Sequence, residues 1–184
     1  MSRQGLWIIA LAGAALWACD SPSGPERAVL DAGAEPIALA SFGKSPIVAK
    51  ASGSAQRDAL GQPAILNFSV TKRADGSVDG HYYFRALGTD PDQFIRVRVT
   101  CMTIVDGNKA WIGGIAEDAF QPALIGRVSY FYAFDNGEGA NADGDVVSRV
   151  RAGDVDSALE EFCTDLPQVL TPFDVVRGNV NITE

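Results

Sequence analysis

Apolar and polar residues alternate along most of this chain. In AILNFSVTK (64–72), Leu66, Phe68 and Val70 fall on one face and Asn67, Ser69 and Thr71 on the other, the period of a half-buried strand. Asp75-Gly76 in RADGS (73–77) predicts a hairpin. VDGHYYFRA (78–86) runs back with Val78, Tyr82 and Phe84 inward and His81, Tyr83 and Arg85 opposite. FIRVRVTCMTIV (94–105) sets Ile95, Val97, Val99, Cys101 and Thr103 on one face, which points Cys101 toward the core, with Arg96, Arg98 and Thr100 on the other. DGNK (106–109) turns the chain and AWIGGIAE (110–117) returns, where Gly113-Gly114 marks a bulge or a close backbone approach. LIGRVSYFYAF (124–134) is the most aromatic run, and its side carrying Val128, Tyr130, Tyr132 and Phe134 is the expected centre of the core.

One stretch departs from this rhythm. DVDSALEEFCTD (154–165) predicts a short helix with Leu159 and Phe162 on one side and Asp near its start, carrying Cys163 toward Cys101. PFDVVRGNVNI (172–182) then supplies a last strand, with Gly178 a candidate bulge. Strand-like runs with turn signals between them begin at about Ile47, so residues 47–184 form the expected globular domain. The fold class is all-β: an antiparallel β-barrel or sandwich of about seven to eight strands, with one short helix near the C-terminus.

The start of the chain reads differently. Arg3 precedes the unbroken apolar run LWIIALAGAALWA (6–18), the n-region and h-region of a signal peptide over 1–18. The run is short of the ~20 residues that a transmembrane helix needs. Leu16-Trp17-Ala18-Cys19 resembles the bacterial lipobox, although Trp17 is bulkier than the usual occupant. The resemblance implies lipidation of Cys19 and attachment to a membrane by several acyl chains, each adding about 0.8 kcal/mol per buried methylene. The alternative is a secreted protein whose Cys19 merely lies near the cut. Residues 19–46, with Pro22, Pro25, Pro36 and Pro46 and no sustained period, read as a flexible tether. The expected location is the bacterial cell envelope, outside the cytoplasm.

Composition narrows the function classes. The net charge of −8 argues against nucleic acid as a partner, because phosphate neutralisation requires a concentrated basic face. With Cys19 lipidated, Cys101 and Cys163 remain to pair as a disulfide, closing a loop of about 60 residues that stabilises the fold by up to roughly 4 kcal/mol. Two separate buried thiols are the alternative.

Three polar constellations invite a chemical reading. DNGEGANADGD (135–145) offers Asp135, Glu138, Asp143 and Asp145 as oxygen ligands for calcium, the one cofactor considered, although the spacing fails the EF-hand pattern and a solvated hairpin loop, whose Asn and Asp residues favour turns, is the better reading. Arg85, Arg96, Arg98 and Arg127 would bind an anionic or amphipathic ligand if their faces line a barrel lumen, and would pair with surface carboxylates if they face water. His81 alternates with Asp79 and Tyr83, but no matched nucleophile motif accompanies it, and no catalytic residue is assigned.

The hairpin VTCMTIVDGNKAWIGG (99–114), the loop FDNGEG (134–139) and RADGSVDGHYYF (73–84) together resemble a family of uncharacterised bacterial secreted and lipoprotein β-rich domains, over roughly residues 50–182. The resemblance implies an extracytoplasmic β-rich domain and brings no activity or site residue with it. The expectation is therefore a lipid-anchored, non-catalytic binding or envelope-interaction module with a protein or small-molecule partner. A barrel carrying a small amphipathic or anionic ligand is its rival, and a hydrolase using His81 a distant third.

Overall fold

The alternation is realised as nine antiparallel strands among the described residues, which in a computed structural model are 44–59, 61–88, 93–138, 144–154 and 156–184. The expected signal peptide, Cys19 and the expected tether as far as residue 43 lie outside them. The strands are β1 (Ile47–Ala59), β2 (Gln62–Arg73), β3 (Val78–Ala86), β4 (Phe94–Val105), β5 (Lys109–Ala119), β6 (Val128–Phe134), β7 (Val146–Ser148), β8 (Arg151–Asp154) and β9 (Pro172–Thr183). Strands β1 to β6 pair in sequence, β6 pairs with β7, β7 with β9, and β9 returns to β1, so the hydrogen bonding closes on itself as a ring. The expected all-β antiparallel architecture of barrel or sandwich type is present. The count exceeds the expected seven to eight because β7 and β8, three and four residues long, are too short to show an alternation.

The ring interior is apolar. Leu66, Val70, Val97, Val99, Ile112 and Val180 are buried in it, and Phe131 meets Phe68 and Tyr82 edge-on at ring separations of 5.3 and 4.9 Å. β1 contributes only small inward residues along most of its length: Ala49, Ala51, Gly53 and Ala55. A Cβ at Gly53 would stand 2.6 Å from the Phe68 ring, so the missing side chain there is what admits the aromatic.

Two sequence expectations are corrected by bulges and by what covers the outer face. Between Val99 and Cys101 the β4–β5 register shifts, leaving Thr100 as an extra residue opposite Gly113-Gly114. The inward positions become Met102 and Ile104, and Cys101 turns outward rather than into the core. It meets the helix α1 (Asp156–Asp165) on the outer face, where its sulfur is bonded to Cys163 with a Cα–Cα separation of 6.4 Å. Gly113 permits this packing, because a Cβ there would collide with Leu159 of α1; at Gly114 it would collide with the Arg98 carbonyl. The expected close approach at the glycine pair is thus to α1 over the outer face at Gly113 and to the β4 backbone at Gly114.

The second correction concerns β6. The strand begins at Val128, after a 3-10 turn at Pro122–Leu124, and both of its faces are buried. Phe131 and Ala133 enter the ring interior, whereas Val128, Tyr130 and Tyr132 form a separate outer cluster with Trp111, Phe162 and Leu170. Polar tips fasten that cluster: Tyr130 Oη donates to Asp154 at 2.6 Å, Tyr132 Oη to the Leu170 carbonyl at 2.8 Å, and Trp111 Nε1 to the Pro167 carbonyl at 3.3 Å. The aromatic run is the centre of a side core beneath α1, not of the ring.

Strand directions place the C-terminal ends of β1, β3 and β5 and the N-terminal ends of β2, β4 and β9 at one end of the ring. There β7–β8 parts from β9 after the bond from Arg149 N to the Thr171 carbonyl, and β8 pairs with β6 alone. The ring is splayed at this end, which is called the mouth below.

Candidate functional site

The mouth holds a buried cation. The inward series Ala49, Ala51, Gly53, Ala55 continues by period two to Arg57, the one long polar side chain on that face of β1. Its exposure is 4%. The opposing strand β9 is bulged here, since Gln56 faces Arg177 and Arg57 faces Val175. The extra residue is Val176 rather than the expected Gly178, which pairs regularly with Ala55; at φ +106° Gly178 lies against the Ser54 carbonyl, and no side chain fits at it.

Two aromatic rings flank the guanidinium. Its central carbon lies 4.2 Å from the Phe173 ring centroid and 5.4 Å from that of Phe84, within cation–π range of both. Nε and Nη1 are buried and have no hydrogen-bond partner among the described residues. These nitrogens belong to different edges of the planar group, one side-on and one end-on, so each edge keeps a donor for an incoming acceptor. Burial first, and the like charge of Arg149 second, push the guanidinium down to about 10, which leaves it charged at neutral pH.

Arg57 and Arg149 border a cavity of about 550 Å³ with Gln62, Gln93, Val150 and Thr171. Phe84, Gln93 and Val150 also border a smaller, mainly apolar cleft of about 120 Å³, continued by Phe94, Ile95, Phe120 and Leu124. Two positive charges in a partly dry cavity beside an apolar cleft are suited to holding an anion.

The residues singled out from the sequence lie elsewhere. Arg85, Arg96, Arg98 and Arg127 are all exposed on the outer surface, so their faces do not line the interior. Arg98 Nε bonds Glu117 at 3.1 Å, and His81 Nε2 stands 3.6 Å from the other oxygen of the same carboxylate; both groups are about half exposed. Arg96 and His81 border one shallow outer depression, while Arg127 is on the turn before β6.

The acidic loop lies at the far end of the ring. Asp145 accepts from Asn136 N at 3.1 Å and from Val180 N at 2.7 Å. Asp135 accepts from Gly137 N and Ile182 N, both at 3.0 Å, and Glu138 accepts from Asn179 Nδ2 at 3.1 Å. Asp145 and Asp135 serve the β9 backbone where β7 no longer pairs with it, and Glu138 holds a β9 side chain. Among the described residues no group of three or more acidic, His or Cys side chains converges as a metal site, and Asp143 lies outside them.

Arg57 was not among the sequence candidates. The signal available for it was the run of small residues at alternate positions from Ala49 to Ala55, which projects directly onto it; lacking large apolar residues, that run reads only weakly as a strand. Phe84 was legible as an inward residue of β3, whereas Arg149 and Phe173 carry no local signal, because they meet the mouth where β7–β8 parts from β9. Comparison of the chain with protein-family models, with curated proteins and with solved structures finds no match.

Proposed function

We propose that this chain is a non-catalytic binding module of the bacterial cell envelope, held at a membrane through lipidated Cys19, and that its ligand is a small anion received at the mouth. The observation that carries the reading is Arg57: a charge buried to this degree, stacked between rings and with donors on two edges unmatched, is costly to the folded domain unless an acceptor meets it. Capture rather than catalysis follows from the lining, since the side chains around Arg57 are guanidinium, carboxamide, hydroxyl, aliphatic and aromatic groups, none of which exchanges a proton near neutrality.

The geometry suits a tethered receptor. β1 starts at Ile47 at the end of the ring opposite the mouth, so a tether over 19–46 joins the domain at its back. The test has two parts. Intact-mass analysis of the chain expressed with its own leader in a bacterial host should give a species beginning at acylated Cys19; an unacylated mature chain overturns the anchor. Thermal melting with acetate or inorganic phosphate at constant ionic strength should show a concentration-dependent rise in Tm that Arg57→Met abolishes. No rise, or an equal rise in the variant, overturns the site.

A further inference from the structure

We infer that the ligand is an amphipathic monoanion, a carboxylate on a compact alkyl or aryl tail, with its head on Arg57 and its tail in the cleft between Phe84 and Leu124. This rests on the proposed anion site and adds the chemical class of its occupant.

The tail follows from continuity. Phe84 stacks on the Arg57 guanidinium and is at the same time a wall of the apolar cleft, so a molecule bound through its head at Arg57 leads straight into a space bounded by Phe94, Ile95, Phe120 and Leu124. At about 120 Å³ that space is close to the engineered cavity of about 150 Å³ that takes benzene, which sets the tail at one ring or a chain of about six carbons. The head follows from charge. Among the described residues one guanidinium, that of Arg57, is buried, whereas Arg149 is exposed to solvent. A monoanion matches the single desolvated charge, whereas a dianion would bring a second, unmatched charge into the same dry site.

Titration calorimetry on the full mature chain with a matched series of probes tests this: acetate, octanoate, octanol and octyl phosphate. Octanoate is expected to bind roughly a hundredfold more tightly than acetate, the increment of burying a little over half of the six methylenes that separate them in a cleft open to solvent on one side. Octanol is expected to show no measurable binding, and octyl phosphate to bind more weakly than octanoate. Arg57→Met should abolish octanoate binding. Leu124→Asp, at the half-buried wall of the cleft, should reduce the octanoate advantage to a few-fold, with a cooperative thermal melt reporting that the variant is folded.

Other outcomes separate the two readings. Equal binding of acetate and octanoate, or an octanoate advantage that survives Leu124→Asp, overturns the amphiphile and leaves the anion site standing. Tighter binding of octyl phosphate overturns the monoanion. Octanol binding as tightly as octanoate, or no binding by any anion, overturns both the inference and the site beneath it.

Discussion

The two ends of β9 each hold a buried charged residue and treat it in opposite ways. At the far end, Asp145, 7% exposed, receives two backbone N–H groups, one of them from Val180 toward the C-terminal end of the strand. At the mouth, Arg57, 4% exposed, faces two phenyl rings and keeps buried Nε and Nη1 without partners among the described residues. The carboxylate replaces a missing strand: β7 pairs with β9 only from Pro172 to Asp174, and Asp135 and Asp145 take the N–H groups that β7 does not reach. The guanidinium replaces nothing in the fold. A satisfied buried charge is a piece of architecture, and an unsatisfied one is a cost to the fold that the proposed anion site would offset.

The largest expected effect breaks the satisfied end. Asp145→Ala leaves the buried Val180 N–H without an acceptor and is expected to lower stability by about 2–4 kcal/mol in urea unfolding. A loss below about 1 kcal/mol would show that the carboxylate is no more structural than Arg57 and would dissolve the contrast.

The mouth should respond with the opposite sign. Arg57→Met removes a buried charge and keeps the apolar stem among Phe84 and Phe173, so the variant is expected to gain about 1–3 kcal/mol while losing anion binding. The gain should depend on pH. Because burial and Arg149 depress the Arg57 pKa to about 10, the folded domain binds this proton less tightly than the unfolded chain does. The cost is fully present below pH 10 and is relieved as pH rises through that value. The stability difference between variant and wild type should therefore be constant from pH 6 to 9 and narrow above 10; a flat difference would mean that the charge itself is not the source of the cost.

The smallest effect sharpens the rule by removing charge from it. Tyr82 is buried in the ring interior, and its hydroxyl lies beside Ser129, whose own proton goes to the Arg151 carbonyl at 2.7 Å. The Tyr82 oxygen makes no hydrogen bond of ordinary geometry. Tyr82→Phe is accordingly expected to lie between no change and a gain of about 1 kcal/mol, with the anion response intact. A clear loss would reveal that the hydroxyl holds the ring together after all.

Much of this domain was legible by counting in twos. The faces of β2 and β3, the hairpins at Asp75-Gly76 and Asp106 to Lys109, the helix bearing Cys163 and its pairing with Cys101 all follow from local alternation, turn chemistry and cysteine arithmetic, because each depends on residues close in sequence or on a choice among very few partners. Alternation names two faces without saying what covers either. One extra residue at Thr100 reversed the expected side of Cys101; a helix arriving from 156–165 buried the outward face of β6 as deeply as its inward one; and ring closure left Arg85, Arg96, Arg98 and Arg127 in water while enclosing Arg57. Tertiary structure alone decided the site, since burial and the absence of a partner depend on strands distant in sequence meeting at one end of the ring, and no spacing along the chain encodes that meeting.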